Sequence, residues 1–332
     1  MNQLLDHIIF DSSISFLERA GLVLDFQREH NPVYSSFLNT LGFRGEVSSH
    51  TPTDEIPLIP VRVFKEAAVK SFTGEEDLLF KSSGTGSMIT SNHFVKERRL
   101  YEKAIEAEFY RHFPKKNTSI FCYTPGYSEN PNSSLIWMLN HLIENDRTGI
   151  SQFLPIGKPL PKGKIEECIE AERSMVLFGA AFGLLDLIKN GSEKLPDSSH
   201  IIETGGMKTH RREMDKFELR SMLSDGFGLP QEQIHSEYGM CELMSQCYAI
   251  GGEWFGSPEW VKVTIRDASN PLKICEKGQP GKIGIIDLAN LYSCSFILTD
   301  DMGVMDEHGK FKVLGRWKNA EMRGCNFLID NE

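Results

Sequence analysis

The stretch Lys81-Ser82-Ser83-Gly84-Thr85-Gly86-Ser87 restricts the fold and function of this 332-residue chain more than any other. It follows an apolar run over residues 78–80 and combines four hydroxyl side chains with two glycines. Glycines let a backbone turn tightly and approach a ligand closely, and converging hydroxyl and N–H groups suit phosphate oxygens. The stretch therefore predicts a phosphate-binding loop, with an ordinary polar turn as the alternative.

The spacing excludes two familiar phosphate loops. No Gly-Lys-Ser or Gly-Lys-Thr closes the stretch, as a Walker A motif requires. Ile89 occupies the position at which a dinucleotide fingerprint needs its third glycine. A phosphate site here would belong to another class of nucleotide-binding protein.

The composition narrows the class of protein further. Lysine and arginine number 36 against 46 aspartate and glutamate residues, a net charge of −10, whereas a general nucleic-acid binder presents a basic face.

No apolar run approaches the length of a membrane span, and the N-terminus lacks the pattern of a secretory signal. Seven scattered cysteines without a Cys-x-x-Cys pair predict reduced thiols, and ten histidines without zinc-finger spacing predict no structural metal. We therefore expect a cytoplasmic protein.

Residues 1–250 have the pattern of an α/β region. Residues 1–45 are amphipathic with helical spacing, and short apolar runs alternate with helical patterns further along. The candidate strands are Ile120–Tyr123, Met175–Phe178, His200–Glu203 and Ile234–Glu237, and the candidate helices near them are 101–113, Ser134–Ile143, Ala181–Ile188 and Arg212–Leu223. This alternation predicts a mostly parallel sheet covered by helices, whose ligands gather where strands end.

The sequence pattern changes in residues 251–332. Short candidate strands are separated by Gly, Pro, Asn and Asp, without helical patterns between them. These strands are Val261–Ile265, Ile283–Leu288, Ser295–Leu298 and Lys310–Leu314. The pattern predicts an antiparallel β subdomain.

Two strand ends carry residues suited to a nucleotide. The paired glycines Gly205 and Gly206 follow one candidate strand, and bare backbone there would let a flat base or a ribose lie close. Tyr238 ends the next candidate strand, where its ring would stack on a purine, and Glu242 would hold Mg²⁺, which prefers oxygen ligands. The alternatives are a plain turn at the glycines and a strand-to-helix turn with a solvated Glu242.

Two later segments carry further candidate groups. In Leu298–Gly303 a carboxylate beside a predicted tight turn would accept both ribose hydroxyls, with an ordinary Asp-rich turn as the alternative. Near the end of the chain Cys325 lies beside Arg323 and near Lys318. Nearby cations favour the thiolate, which is the nucleophilic form, whereas a free cysteine can also be a small buried apolar residue.

These elements occur in the order in which the adenylate-forming superfamily has them: a Ser/Thr-rich glycine loop, Gly-Gly, Tyr-Gly-x-Thr-Glu, Thr-x-Asp and Gly-Arg. The chain resembles that superfamily over residues 81–325. Within it, Glu321–Cys325 and His235–Tyr248 resemble the LuxE-type acyl-protein synthetases, with the phenylacetate–coenzyme A ligases as the nearest cousins. The resemblance implies the superfamily's large N-terminal α/β domain, with parallel or mixed sheets covered by helices and a C-terminal antiparallel β subdomain.

The resemblance also implies a role for each motif residue. The ATP phosphates are expected at Ser82, Ser83, Gly84, Thr85, Gly86 and Ser87. The adenosine is expected at Gly205, Gly206, Tyr238, Gly239 and, for its ribose, Asp301. The residues expected to act in catalysis are the Mg²⁺ ligand Glu242, the arginine Arg316 and the acyl-accepting thiol Cys325.

Three departures from the superfamily pattern are visible. Cys241 stands where the motif has threonine, which places a second thiol in the site. The lysine that often follows the phosphate loop is missing, and Ser91-Asn92-His93 occupies its region. The chain ends sixteen residues after Arg316, so we expect the usual C-terminal lid domain with its catalytic lysine to be absent. Candidates for a compensating cation are Lys208, Lys318 and Arg323.

The resemblance implies an AMP-forming ligase that uses ATP and Mg²⁺. It would activate a fatty or related carboxylic acid as an acyl-adenylate and transfer the acyl group to an enzyme cysteine as a thioester. The expected partner is an acyl acceptor such as a reductase, with no nucleic acid and no membrane span involved. One alternative is an acyl- or aryl–coenzyme A ligase, and another is a non-catalytic nucleotide-binding partner subunit.

Overall fold

A computed structural model describes residues 2–43, 53–82, 90–126, 128–191, 193–205 and 214–317. In chain order the helices are α1 (Asn2–Ile8), α2 (Phe16–His30), α3 (Pro32–Thr40), α4 (Val63–Glu66), α5 (Arg98–His112), α6 (Ser134–Glu144), α7 (Lys162–Glu170), α8 (Ala181–Lys189) and α9 (Lys216–Phe227). The strands are β1 (Ile59–Pro60), β2 (Leu78–Lys81), β3 (Asn92–Val95), β4 (Thr118–Tyr123), β5 (Gln152–Phe153), β6 (Ser174–Ala180), β7 (His200–Thr204), β8 (Ile234–Tyr238), β9 (Cys247–Ala249), β10 (Val261–Arg266), β11 (Gly281–Asp287), β12 (Phe296–Met305) and β13 (Phe311–Arg316). A short 3₁₀ turn over Leu288–Asn290 follows β11.

The N-terminal helices begin at side chains that cap them. The Ser15 hydroxyl accepts a 3.2 Å hydrogen bond from the Glu18 N–H at the start of α2. Asn31 caps α3 in the same way, with Pro32 at the first helical position, where its missing N–H costs nothing. The helical prediction for this part of the chain is confirmed by α1, α2 and α3.

The larger sheet has the strand order β5-β4-β6-β7-β8-β9. The pairs β4–β5, β4–β6, β6–β7 and β7–β8 are parallel, and β9 pairs antiparallel with β8. All four predicted strands are present, and they are neighbours. The prediction of a mostly parallel sheet is therefore confirmed.

Helices cover both faces of this sheet because neighbouring strand residues point in opposite directions. Ile120, Val176 and Ile202 pack into the cluster that includes apolar residues of α5 and α6. Phe121 and Leu177, one position along, pack into the cluster that includes residues of α7, α8 and α9. The predicted helix at Arg212–Leu223 begins later, at Lys216, because the Asp215 side chain accepts a 2.7 Å hydrogen bond from the Phe217 N–H and caps it there.

The second sheet has the order β1-β12-β11-β10, with β13 also paired to β12. Every pairing is antiparallel except that of β1 with β12. The predicted antiparallel strands thus form one sheet, and this sheet also includes the strand β1 from residues 59–60. No helix within the described ranges combines the length and apolar character needed to cross a membrane.

The prediction of a tight turn at residues 298–303 is wrong. These residues lie inside β12, which runs without a break from Phe296 to Met305. The strand continues because β11 and β13 pair with it on its two edges, with a register shift beside Gly303. The carboxylate expected on a turn is therefore presented from a strand.

Candidate active site

Gly205 and Tyr238, two of the residues predicted to bind the nucleotide, lie at the carboxyl ends of neighbouring parallel strands. Gly205 directly follows β7, and Tyr238 is the last residue of β8. The two strands are neighbours in register, with Thr204 opposite Glu237. Ligands of doubly wound sheets bind at this edge, so the topology places both predicted adenosine elements where a ligand would lie.

Asp301 joins this edge from the second sheet. The Tyr238 hydroxyl donates a 3.0 Å hydrogen bond to Asp301 Oδ2. Arg316 is the residue opposite Asp301 on β13, and its Nε lies 3.6 Å from Asp301 Oδ1. Three residues predicted from separate motifs are thus in direct contact.

The Tyr238 ring is held by aromatic packing from the second sheet. Its centroid lies 5.9 Å from that of Phe255 and 5.6 Å from that of Phe311. Burial raises the pKa of the Tyr238 hydroxyl, and the Asp301 charge raises it further. The hydroxyl therefore stays protonated and remains a hydrogen-bond donor to the carboxylate.

Glu242 lies on the irregular segment between β8 and β9, which we call the Glu242 loop (residues 239–246). Its side chain is only 6% exposed, and burial raises the pKa of its carboxyl. The positive charges of Lys65 and Arg316 and the neighbouring Ser91 lower that pKa. The predicted alternative of a solvated carboxylate on a strand-to-helix turn is wrong, because β9 turns back antiparallel to β8 and encloses the loop.

The base of the predicted phosphate loop lies on the hairpin of β2 and β3. Lys81 is opposite Asn92, and beyond them the Ser82 N–H donates to the Ser91 carbonyl over 3.2 Å. The Ser82 hydroxyl accepts a 2.9 Å bond from the Ser91 N–H. The hairpin thus holds the root of the loop beside Ser91, which is itself a neighbour of Glu242.

Several predicted residues lie outside the described ranges. They are Ser83, Gly84, Thr85, Gly86, Ser87, Gly206, Lys208, Lys318, Arg323 and Cys325. The assignments of these residues stay predictions.

A buried carboxyl that sequence reasoning missed, that of Glu237, lies beside the strand ends that carry Gly205 and Tyr238. The Thr204 hydroxyl donates a 2.5 Å hydrogen bond to Glu237 Oε2. A Cβ built on Gly239 would come within 2.6 Å of Glu237 Oε1, so the glycine leaves room for this carboxyl. Burial raises the pKa of Glu237 to about 7. In the sequence, Glu237 stands at the end of a candidate strand, directly before Tyr238-Gly239, and this position could have identified it.

Polar residues that sequence reasoning also missed hold the Glu242 loop in place through hydrogen bonds. Asp287 accepts from the Met244 N–H over 2.9 Å and from the Ser245 hydroxyl over 2.7 Å. His93 and Asn290 contact the loop near Glu242 itself. His93 is far in sequence from Asp287 and Asn290, all three are distant from residues 239–246, and no local pattern relates them to the loop.

The six cysteines within the described ranges share a property that bears on the acyl acceptor. The described cysteines are free thiols, and burial raises the pKa of each: Cys122, Cys168, Cys241, Cys247, Cys275 and Cys294. At Cys241 the charge of Glu242 raises the pKa further. The thiolate is the reactive form, so the rival thiol in the site is held in its unreactive form.

The donor set around Glu242 fits one kind of magnesium site. Mg²⁺ in nucleotide sites is commonly held by one or two carboxylates together with phosphate oxygens and water. Glu242 supplies one buried carboxyl beside the root of the predicted phosphate loop. Across the part of the chain that the structure describes, no group of three or more His, Cys, Asp or Glu side chains is arranged to hold a metal ion.

Solved structures with the same fold are adenylate-forming enzymes. A 2-hydroxyisobutyryl-CoA ligase with 2-HIB-AMP and CoA matches at a TM-score of 0.66 and 13% identity, over 92% of this chain and 68% of that one. ATP-bound MatB from Rhodopseudomonas palustris matches at a TM-score of 0.51 and 16% identity. The match covers 74% of this chain and 49% of MatB, so the chain spans about half the length of that enzyme. The predicted α/β fold class is confirmed by these likenesses, whereas the expected absence of a lid domain stays a prediction.

Sequence comparisons identify the family. A long-chain-fatty-acid–luciferin-component ligase of Aliivibrio fischeri is 23% identical over 309 residues, covering 84% of this chain and 79% of that protein. The Vibrio harveyi ligase of the same name is 29% identical over 134 residues, covering 38% of this chain and 35% of that protein. The family model described as acyl-protein synthetase, LuxE, matches residues 163–332, which is more than half of the chain. The chain therefore belongs to the LuxE acyl-protein synthetase family.

Proposed function

We propose that this protein is an AMP-forming ligase that activates a long-chain fatty acid, or a related acid, and passes the acyl group to a cysteine. The observation that carries the proposal is the convergence of Tyr238, Asp301, Arg316 and Glu242 at one edge of the larger sheet. Family membership supports the same activity, as do the names of the two ligases that it resembles.

The first step is formation of an acyl-adenylate. A carboxylate oxygen of the acid attacks the α-phosphorus of ATP, the bond to the β-phosphate oxygen breaks, and pyrophosphate leaves. Asp301 holds the ribose hydroxyls, and the Tyr238 ring lies against the base. Arg316 and backbone donors of residues 82–87 stabilise the negative charge on the phosphate oxygens. Mg²⁺, held by Glu242 and the phosphates, supplies further charge stabilisation when bound.

The second step is transfer to sulfur. A thiolate attacks the acyl carbon of the mixed anhydride, AMP leaves, and a thioester forms. We assign Cys325 as this nucleophile from the resemblance of residues 321–325 to the acyl-protein synthetases, and the raised pKa of each of the six described cysteines is consistent with this assignment. From the thioester the acyl group would pass to a protein partner such as an acyl reductase. In this proposal residues 1–250 hold the ATP phosphates and the acid, and residues 251–332 supply the ribose carboxylate and the acceptor thiol.

One assay tests the whole proposal. The protein is incubated with ATP, Mg²⁺ and a panel of labelled acids, and pyrophosphate exchange and hydroxylamine-sensitive protein label are both measured. We expect acid-dependent exchange, and label that Cys325→Ser removes while exchange continues. The matched control Cys241→Ser is expected to keep both.

The outcomes separate the alternatives. Label retained by Cys325→Ser and lost by Cys241→Ser would place the nucleophile in the Glu242 loop. Exchange with thioester formed only on free coenzyme A would identify a coenzyme A ligase. ATP binding without acid-dependent exchange would identify a non-catalytic nucleotide-binding protein.

A further inference from the structure

His93 lies on β3, two residues beyond Ser91 at the root of the predicted phosphate loop. Its side chain is fully buried, and its ring packs near Phe64 and Phe80, with centroids 6.1 Å and 6.4 Å away. An apolar side chain would be stable at such a position through packing contacts alone and would need no hydrogen-bond partner. A buried imidazole loses its hydration, and it is stable only where its nitrogens find partners.

The partners of His93 are the groups that flank Glu242. His93 Nδ1 lies 2.7 Å from the Cys241 carbonyl oxygen, which can only accept, so Nδ1 donates to it. His93 Nε2 lies 2.8 Å from Asn290 Oδ1, an oxygen that also can only accept, so this contact is a hydrogen bond only when the imidazole carries a proton on each nitrogen. Asn290 Nδ2 in turn donates to the Glu242 carbonyl over 2.8 Å. Both contacts of one buried imidazole thus lead to the main chain at Glu242.

This geometry restrains the direction of the Glu242 side chain. The Cys241 carbonyl belongs to the peptide plane before the Glu242 Cα, and the Glu242 carbonyl belongs to the plane after it. Fixing both planes fixes the two backbone dihedrals between them, and these set where the Cα–Cβ bond points.

Asn290 is itself held firmly. It is 1% exposed, and its Nδ2 also donates to the Cys294 carbonyl over 2.8 Å. Its own carbonyl accepts a 3.1 Å hydrogen bond from Gln27 Nε2 on α2. The Asn290 side chain is therefore held in one orientation, in contact with His93 on the β2–β3 hairpin and with the main chain of the Glu242 loop.

We propose that His93 and Asn290 are positioning residues, which hold the Glu242 carboxylate at a fixed place relative to the β2–β3 hairpin. The proposal rests on the proposed function, in which Glu242 binds the Mg²⁺ of ATP. His93 occupies the region where the superfamily often has a lysine, and its role here is to orient a carboxylate through the main chain.

The test compares His93→Ala with a matched variant, His235→Ala. His235 is also buried, and its Nδ1 accepts a 2.9 Å hydrogen bond from the Gly251 N–H. It lies near the start of β8, whereas Tyr238 lies at the end of that strand. Each variant removes one buried imidazole with a main-chain bond, so both lose thermal stability. Only His93→Ala disturbs the Glu242 loop.

The decisive readout is the affinity of the protein–ATP complex for Mn²⁺, measured by electron paramagnetic resonance. We expect His93→Ala and Asn290→Ala to weaken it about tenfold, the lower end of the loss usual when a group that orients a metal ligand is removed. Amide hydrogen exchange over residues 239–246 is expected to accelerate in the same two variants. We expect His235→Ala to change the Mn²⁺ affinity by less than about twofold, because it does not touch the ligand. If His93→Ala does not fold, His93→Gln, which retains a donor, is expected to show a smaller loss.

Folded His93 and Asn290 variants with the wild-type Mn²⁺ affinity would overturn the positioning role, and so would an equal loss in His235→Ala. The proposed function is judged separately, by acid-dependent pyrophosphate exchange in the wild type. If exchange is present while the Mn²⁺ affinities do not differ, the positioning role alone fails. If exchange is absent in the wild type, the proposed function fails.

Discussion

Tyr238 and Asp301 join the larger sheet to the second sheet at the candidate site. The Tyr238 hydroxyl donates a 3.0 Å hydrogen bond to Asp301 Oδ2 although 63 positions separate the two residues. Tyr238 ends a strand of the larger sheet, and Asp301 lies within β12 of the second sheet. The contact therefore fixes the distance between the Tyr238 ring, which is proposed to bind the base, and the Asp301 carboxylate, which is proposed to bind the ribose.

Asp301→Asn is expected to weaken ATP binding with little effect on stability. A hydrogen bond to a charged group contributes roughly 1.5–3 kcal/mol, so we expect the KM for ATP to rise by about tenfold or more. The matched control is Asp300→Asn, the neighbouring carboxylate, whose Oδ1 lies 3.2 Å from Lys282 Nζ. The KM for ATP in pyrophosphate exchange decides the matter, and equal values for the two variants would contradict the assignment of Asp301.

His235 is expected to make the protein less stable in acid. Burial, with the charges of His200, Arg220 and His112, lowers the pKa of His235 to about 3. The unfolded chain, with a histidine pKa of about 6.5, binds more protons between these values. The contribution of His235 to stability is therefore complete above pH ~6.5 and is lost as the pH falls, by about 2 kcal/mol at pH ~5.

Urea denaturation of the wild type and His235→Gln at pH ~7.5 and pH ~5 measures this loss. The wild type is expected to lose more stability than the variant between the two conditions, by about 2 kcal/mol. Identical pH dependence in the two proteins would show that His235 is protonated as readily in the folded chain as in the unfolded one.

Glu237 is expected to have the opposite pH dependence. Burial raises its pKa from 4.5 to about 7, so the folded protein binds more protons than the unfolded chain between these values. Its contribution is complete below pH ~4.5 and is lost as the pH rises through about 7. Glu237→Gln keeps an oxygen that can accept from Thr204 and cannot ionise, so its stability relative to the wild type should rise from pH ~5 to pH ~8. Denaturation at the two pH values checks the sign, and a relative loss at the higher pH would exclude a raised pKa.

Gly226→Ala is expected to destabilise the packing of α8 on α9. A Cβ built on Gly226 would lie 2.8 Å from Ile188 Cγ1 and 3.0 Å from its Cγ2, closer than unbonded carbon atoms approach. Overpacking of this kind costs about 1–3 kcal/mol. The matched control is Gly163→Ala in α7, where a Cβ would meet no atom within 4 Å and alanine should stabilise the helix by up to about 1 kcal/mol. Melting temperatures that move in the same direction in both variants would contradict the packing argument.

Sequence patterns predicted the elements of the larger sheet well because each pattern is local. An apolar run followed by a helical period is visible within about 20 residues, and β4, β6 and β7 have this form. The end of Ser295–Leu298 was predicted too early. The polar residues Thr299, Asp300 and Asp301 have the composition of a turn, yet β11 pairs with Leu298 and Met302 on either side of them and β13 pairs with Asp301, so the segment stays in a strand.

The amino-acid sequence alone determined the order of the nucleotide motifs and the strand ends that carry Gly205 and Tyr238, because these depend on neighbouring residues. Only the tertiary structure decided that Asp301 contacts Tyr238, that burial raises the pKa of Cys241, and that His93 and Asn290 hold the main chain at Glu242. Each of these depends on two segments distant in the chain meeting across a sheet or a loop. Burial and hydrogen-bond partners arise from such meetings, so no window of sequence contains them.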